Sequence, residues 1–330
     1  MVQHSHDAEH HPGHSHGTVD ATILTSERGI WAVKRSFFWM FLTAIIQLVV
    51  VVFTGSVALL ADTIHNFGDA ATAVPLWFAF SLGKRPATKR FTYGLGRTED
   101  LAGIVVVLII LVSAVVAGYE SINRILHPQT VGNLWAVIIA SIVGFLGNEA
   151  VAQFRIRVGK EIGSAALIAD GYHARTDGFT SLAVLFGAIG VWLGFPLADP
   201  IIGLLITIAI IRIVWDSAKS VFTRLLDGVD PEVVDEIRHT IHHVTGVQDI
   251  TEVRVRWLGH RLNAELNIAV TPELSVEQGH EIAKEVRHQL LHHLEYLSNA
   301  VVHVDPMTAS GEEHHAISNH VHNELPPHSH

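Results

Sequence analysis

The 330-residue chain is 49% hydrophobic and only 16% charged, with mean hydropathy +0.34, which excludes an ordinary soluble protein. Its net charge of −10 argues against a nucleic-acid partner, and the absence of cysteine excludes disulfides, thiolate metal sites and a cysteine nucleophile. Histidine is the outlier at 24 residues, so metal chemistry here rests on imidazole and carboxylate, donors suited to zinc and its divalent neighbours.

The N-terminus carries His4, His6, His10, His11, His14 and His16 among Ser, Gly, Asp and Pro. Such a segment cannot bury a core, which predicts a disordered cytoplasmic tail over residues 1–30, either metal-collecting or merely solvated. It lacks the apolar core of a cleavable signal peptide. A second His-rich tail over 308–330 holds His314, His315, His320, His322, His328 and His330.

Between the tails, residues 31–224 contain roughly six apolar blocks, each near the ~20 residues that a bilayer span requires. They run about 36–53, 57–80, 101–121, 134–152, 164–194 and 199–218. Lys84, Arg85, Lys89, Arg90 and Arg97 lie between spans two and three, and Arg155, Arg157 and Lys160 between four and five. Lys34 and Arg35 precede span one, Lys219 and Arg224 follow span six, and the opposite side shows only Arg124. The positive-inside rule then places both termini in the cytoplasm, a topology that fits a bacterial inner membrane with lipid as the surrounding partner.

Residues 225–307 read as a small soluble domain. Pro231 opens a helix with Val233, Val234, Ile237 and Ile241 on its apolar face, ending near His243. Val253, Val255 and Trp257 alternate as a strand, and Gly259-His260 turns it into a second strand through Leu262, Ala264, Leu266, Ile268 and Val270. Ser275 to Gln278 has the pattern of a capped helix start, with the helix running to about His293, and Ala300 to Val304 closes the set as a strand. The predicted order is α-β-β-α-β, an α+β domain. His239, His242, His243, His288, His292 and His293 read as solvated helix faces.

The chemistry concentrates in a duplicated motif. Asp62-x-x-His65-x-x-x-Asp69 in span two is echoed by Asp170-x-x-His173-x-x-x-Asp177 in span five, each preceded by an Ala-Leu-x-Ala run. Residues three, four and seven apart share one helix face. Ionisable groups inside a bilayer cost several kcal/mol unless partnered or functional. With the topology above, spans two and five are antiparallel and each is the middle helix of a three-helix half. This is the pattern of an inverted 3+3 repeat with a substrate site at the midplane.

His65, Asp69, His173 and Asp177 together make a tetrahedral nitrogen and oxygen site, with Asp62 and Asp170 as supporting groups. The competing reading, polar glue between helices, accommodates one such His but not two copies of the motif. Metal binding needs neutral imidazole and ionised carboxylate, so such a site trades metal for protons. Arg175, close by, requires a carboxylate or headgroup partner that the sequence does not name.

These residues resemble the cation diffusion facilitator family. His65-x-x-x-Asp69 and His173-x-x-x-Asp177 match its transport-site pattern. The likeness extends through Tyr93-Gly94-x-Gly96-Arg97-x-Glu99, Leu226-Asp227-Gly228 and His303-Val304-Asp305-Pro306, covering roughly residues 30–307. The resemblance implies a homodimeric metal/proton antiporter that exports divalent cations, with Zn²⁺ as cargo and possible regulatory ligand and no organic cofactor. It also implies a ferredoxin-like, metallochaperone-like C-terminal domain that dimerises and senses metal.

Phe91 and Leu95 stand where some members carry histidines between spans two and three, so that accessory site is not expected. In the soluble domain His303 and Asp305 match family ligands, His280 is a third candidate and His260 a substitute. Thr251 and Asn267 occupy other ligand positions.

Zinc is the leading cargo because the site mixes nitrogen with oxygen; cobalt, cadmium, nickel and iron(II) use the same chemistry. A membrane-anchored metal sensor or buffer is a second class, disfavoured because sensing needs no ligands in the bilayer. A membrane hydrolase is a third, and neither a Ser/His/Asp arrangement nor His-Glu-x-x-His is visible. The chain is therefore read as a secondary transporter and not an enzyme.

Overall fold

The computed structural model describes residues 21–54, 73–126, 134–195, 198–311 and 314. Its long helices are α1 (Ala21–Thr54), α3 (Thr98–Leu126), α4 (Leu134–Ile162), α5 (Ala165–Trp192) and α6 (Ala198–Leu225). A shorter helix α2 (Ala73–Gly83) is the described part of the second predicted span. At ~1.5 Å per residue, helices of 28 to 34 residues exceed the ~30 Å hydrocarbon thickness.

Among the described residues, stretches of α1, α3 and α6 are long and apolar enough to cross a membrane by composition alone. Helices α4 and α5 are long enough but carry ionisable residues, of which Arg155 with Asp170 and Glu149 with Arg175 pair across the two helices. Large apolar side chains such as Leu108, Val112, Val115, Ile208 and Leu205 point outward, as lipid contact requires.

Helix α1 corrects the predicted extent of the N-terminal tail. It begins at Ala21, inside the range expected to be disordered, because its first turns have partners. Ser26, Ala32 and Val33 are buried, Arg28 pairs with Glu161 at 3.0 Å, and Lys84 reaches Glu27 at 2.7 Å.

Helices α4 and α5 form a tight antiparallel hairpin across Gly163 and Ser164. A Cβ placed on Gly159 would meet Ile168 Cγ1 at 2.7 Å, and one on Gly171 would meet Ile156 Cγ1 at 2.6 Å. Glycine on each helix thus lets the two backbones close up, the packing device of helices that have no hydrophobic drive to associate in lipid. Helices α3, α5 and α6 pack against one another, and α1 lies along α4.

The C-terminal domain contains α7 (Pro231–His242), β1 (Val247–Leu258), β2 (Arg261–Val270), α8 (Val276–His293) and β3 (Leu297–Pro306) in the predicted order. The Asp230 side chain accepts from Glu232 N to cap α7, and Ser275 with Gln278 forms a reciprocal capping box on α8. The sheet order is β1-β2-β3, antiparallel then parallel. Helices α7 and α8 cover one face, closing a core of Ile237, Ile241, Leu266, Ile268, Val286 and Leu290. Strand β1 starts earlier than its alternation suggests, because register shifts near Asp249 and Glu252 break the two-residue period.

Candidate functional site

On α5, Asp170, His173 and Asp177 are all buried. His173 Nδ1 stands 3.7 Å from Asp177 Oδ2, close enough for electrostatic coupling but longer than a hydrogen bond. Thr176 and Thr180 turn their hydroxyls back to their own helix, onto Tyr172 O and Thr176 O. Asp62, His65 and Asp69 lie outside the described residues.

Asp170 has a partner that the sequence reading missed. Arg155 of α4 reaches Asp170 Oδ2 at 3.0 Å, and both side chains are 0% exposed. Arg155 also donates from Nε to Ser36 Oγ of α1 at 2.9 Å and lies 3.3 Å from Met40 Sδ. Counted by position, Arg155 belonged to the basic surface that orients the chain; it is instead an internal cation, while Arg157 and Lys160 are exposed. A bare guanidinium or carboxylate in this setting would cost several kcal/mol, so each group makes the other tolerable. Asp170 therefore neutralises Arg155.

Arg175, for which the sequence named no partner, makes a two-point pair with Glu149 of α4 at 2.8 and 3.1 Å. Gln153 donates to the same carboxylate at 3.1 Å. Asn148 is buried on α4 near Gly178, level with Asp177. The short hairpin was the available signal, since a two-residue turn folds the helices back on each other and brings positions within a turn of equal distance from it close together.

The cytoplasmic candidates do not converge. His260 is buried at the β1–β2 turn, where Nδ1 donates to Glu99 Oε2 at 2.6 Å and Nε2 meets Thr25 Oγ1 at 2.8 Å. It thereby binds the soluble domain to α3 and α1. His303 and Asp305 form a pair at 2.9 Å toward the far end of the sheet, opposite Asn267 and Ala269. Ala300, Val302 and Val304 belong to the helix-covered core, so the two-residue period puts His303 and Asp305 on the other face. His280 is exposed on α8, in the helical layer. Asn267 donates to Glu252, and Thr251 donates to Asn267 O. Among the described residues no group of three His, Asp or Glu gathers around one point.

The other motif residues meet at the junction between the two domains. Arg97 donates to Leu225 O at 3.1 Å and pairs with Asp227, whose φ of 60° ends α6 in a left-handed turn. Gly259 N donates to Asp100, and a Cβ on Gly259 would lie 2.7 Å from Gly96 O, so glycine is needed for the hairpin to dock. Arg224 stacks over Trp257 at 3.9 Å, and Tyr296 donates to Lys160 O at 2.8 Å.

Residues 33–226 match the cation efflux transmembrane domain, and residues 229–307 match the cation efflux protein cytoplasmic domain. A Mycobacterium tuberculosis protein named "Probable cation efflux system protein" is 56% identical over 306 residues, which is 93% of this chain and 90% of that one. The manganese efflux system protein MneP of Bacillus subtilis is 24% identical over 76% of this chain and 87% of its own length. A solved MamM CTD in a cadmium form is 29% identical over 23% of this chain and 94% of that chain, with a TM-score of 0.23.

Proposed function

The chain belongs to the cation efflux, or cation diffusion facilitator, family of integral membrane transporters, and from that premise we propose that it is a Zn²⁺/H⁺ antiporter. The observation that carries this reading is the buried pair His173 and Asp177, beside an Asp170 already matched by Arg155. His65 and Asp69 supply the other two ligands from span two, giving one tetrahedral ion between antiparallel helices. Asp62 supports them as Asp170 supports its own half.

One imidazole and one carboxylate from each helix suit zinc better than manganese, which takes oxygen ligands more readily. Cobalt, cadmium, nickel and iron(II) are the alternative cargoes, and the manganese named for the B. subtilis relative is weighed against them. Protons drive the cycle because binding requires neutral imidazoles and ionised carboxylates. Acidification at the site expels metal, and deprotonation restores affinity. Both termini face the cytoplasm of a bacterial inner membrane, and residues 225–307 pair with a second copy of the chain.

The test is reconstitution in liposomes with an imposed pH gradient, following Zn²⁺ and proton flux together. Zinc moves against protons in the parent, and both fluxes collapse in Asp69→Ala and Asp177→Ala. Unchanged flux in both variants would remove the assignment. Faster Mn²⁺ than Zn²⁺ exchange would change the cargo and leave the site intact.

A further inference from the structure

The histidines of α7 and α8 read in the sequence as solvated helix faces, but the fold sets several of them along the border of one cleft. The C-terminal halves of the two helices border an open cleft of about 640 Å³ lined by Glu236, His239, His243, Glu285 and His293. His239 on α7 and His243 at its C-cap are one turn apart, with ring centroids 4.7 Å apart and edge to face. Two imidazoles four residues apart on one helix face have the spacing with which a helix grips zinc in His-Glu-x-x-His proteins. Glu236 precedes His239 by one turn on the same face. Beneath them Ile237, Ile241, Val286 and Leu290 are 0% exposed, so both backbones are firmly held.

We propose that this cleft is a second divalent-cation site, chelated by His239 and His243 and completed from α8 by His293 or Glu285. The ligand class is a borderline cation such as Zn²⁺, Co²⁺ or Ni²⁺, set by the imidazole donors. The third donor arrives by rotation of an exposed side chain across the cleft. The last turns of both helices line it, and helix C-termini carry the partial negative charge that favours a cation. His292, whose ring lies 5.3 Å from that of His293 and 6.3 Å from that of His288, adds imidazole at the rim. The site is separate from His303 and Asp305, which lie on the opposite face of the sheet. A cation here ties α7 to α8, and the proposal does not depend on where the transported ion binds.

The experiment is hydrogen–deuterium exchange of the full chain in lipid nanodiscs, with zinc alone as the probe and a chelator as the reference. Zinc slows amide exchange in peptides spanning 236–245 and 285–293. The double variant His239→Ala/His243→Ala loses that protection and binds less zinc by about one ion per chain, the content of a single chelate. His173→Ala keeps the cleft protected even if transport stops, which separates this site from the transport reading. The proposal is overturned if saturating zinc leaves both peptides unchanged in the parent, or if the double variant is protected like the parent. The parent measurement alone decides the matter should the double variant fail to fold.

Discussion

The α4–α5 hairpin and the cytoplasmic domain solve burial in opposite senses. In the hairpin Arg155, Asp170, His173 and Asp177 are inside, and apolar side chains of the neighbouring helices face outward. In the cytoplasmic domain Ile237, Ile241, Leu266 and Val286 are inside, and His239, His243, His288 and His292 are in water. A buried charge must be answered locally, so every change there is felt by its partner. An exposed histidine is answered by water and is free to gain a metal ligand's role without disturbing the fold. The first region is constrained by electrostatics and the second by packing.

Breaking the constraint in the hairpin gives the largest effect. Arg155→Met leaves Asp170 charged and unpaired in the core, a loss of about 3–5 kcal/mol by analogy with other buried pairs. Arg155→Met combined with Asp170→Asn removes both charges and recovers most of that stability. Thermal unfolding in detergent measures the cycle, and zinc flux on the same four proteins gives it functional content. If Asp170 only balances Arg155, the double variant transports. Flux that stays lost at restored stability would make Asp170 a participant in the metal site.

The counterpart in the cytoplasmic domain is a cavity rather than a charge. Ile241→Ala removes a side chain that is 0% exposed and costs about 2–5 kcal/mol, whatever the pH or salt. The Arg155 variant differs, because Asp170→Asn relieves it by removing the unpaired charge. Comparing the melting of Arg155→Met and of Ile241→Ala with and without Asp170→Asn separates an unpaired charge from a packing defect. Equal recovery in both would dissolve the contrast.

The parts of the molecule legible in the sequence were those written in local periodicity. Apolar blocks marked the long helices, alternation at Val253, Val255 and Trp257 marked β1, and Ser275 with Gln278 marked the start of α8. The missed contacts join residues far apart along the chain. Arg155 and Asp170 meet across a hairpin, and His260 meets Thr25 from 235 residues away. Composition could not distinguish an arginine at the membrane surface from one inside the bundle, because both are preceded and followed by apolar residues. His260 looked like a metal ligand for a similar reason: a histidine in a tight turn is exposed unless another domain covers it.

The junction tests whether the two regions communicate. Glu99→Gln keeps the shape of the group that meets His260 but removes its charge, and Glu99 is only 3% exposed. The expected cost is about 1–3 kcal/mol, the range for a buried group left poorly satisfied. It should appear as faster exchange of amides near 258–261, with the α7 and α8 cores unchanged. Faster exchange throughout the soluble domain would mean that its stability depends on docking.

The smallest effect tests whether the soluble domain tolerates local change as the comparison requires. Ser275→Ala removes the hydroxyl that accepts from Gln278 N at 3.2 Å and leaves the reciprocal bond from Ser275 N to Gln278 in place. Losing one half of a capping box costs about 1 kcal/mol, confined to the first turn of α8. Metal protection of the α7–α8 cleft should survive, because the cleft lies at the other end of that helix. Fraying at Ser275 that also abolished the zinc response at His239 and His243 would show that α8 acts as one unit, and the cytoplasmic domain would then share the all-or-none character of the hairpin.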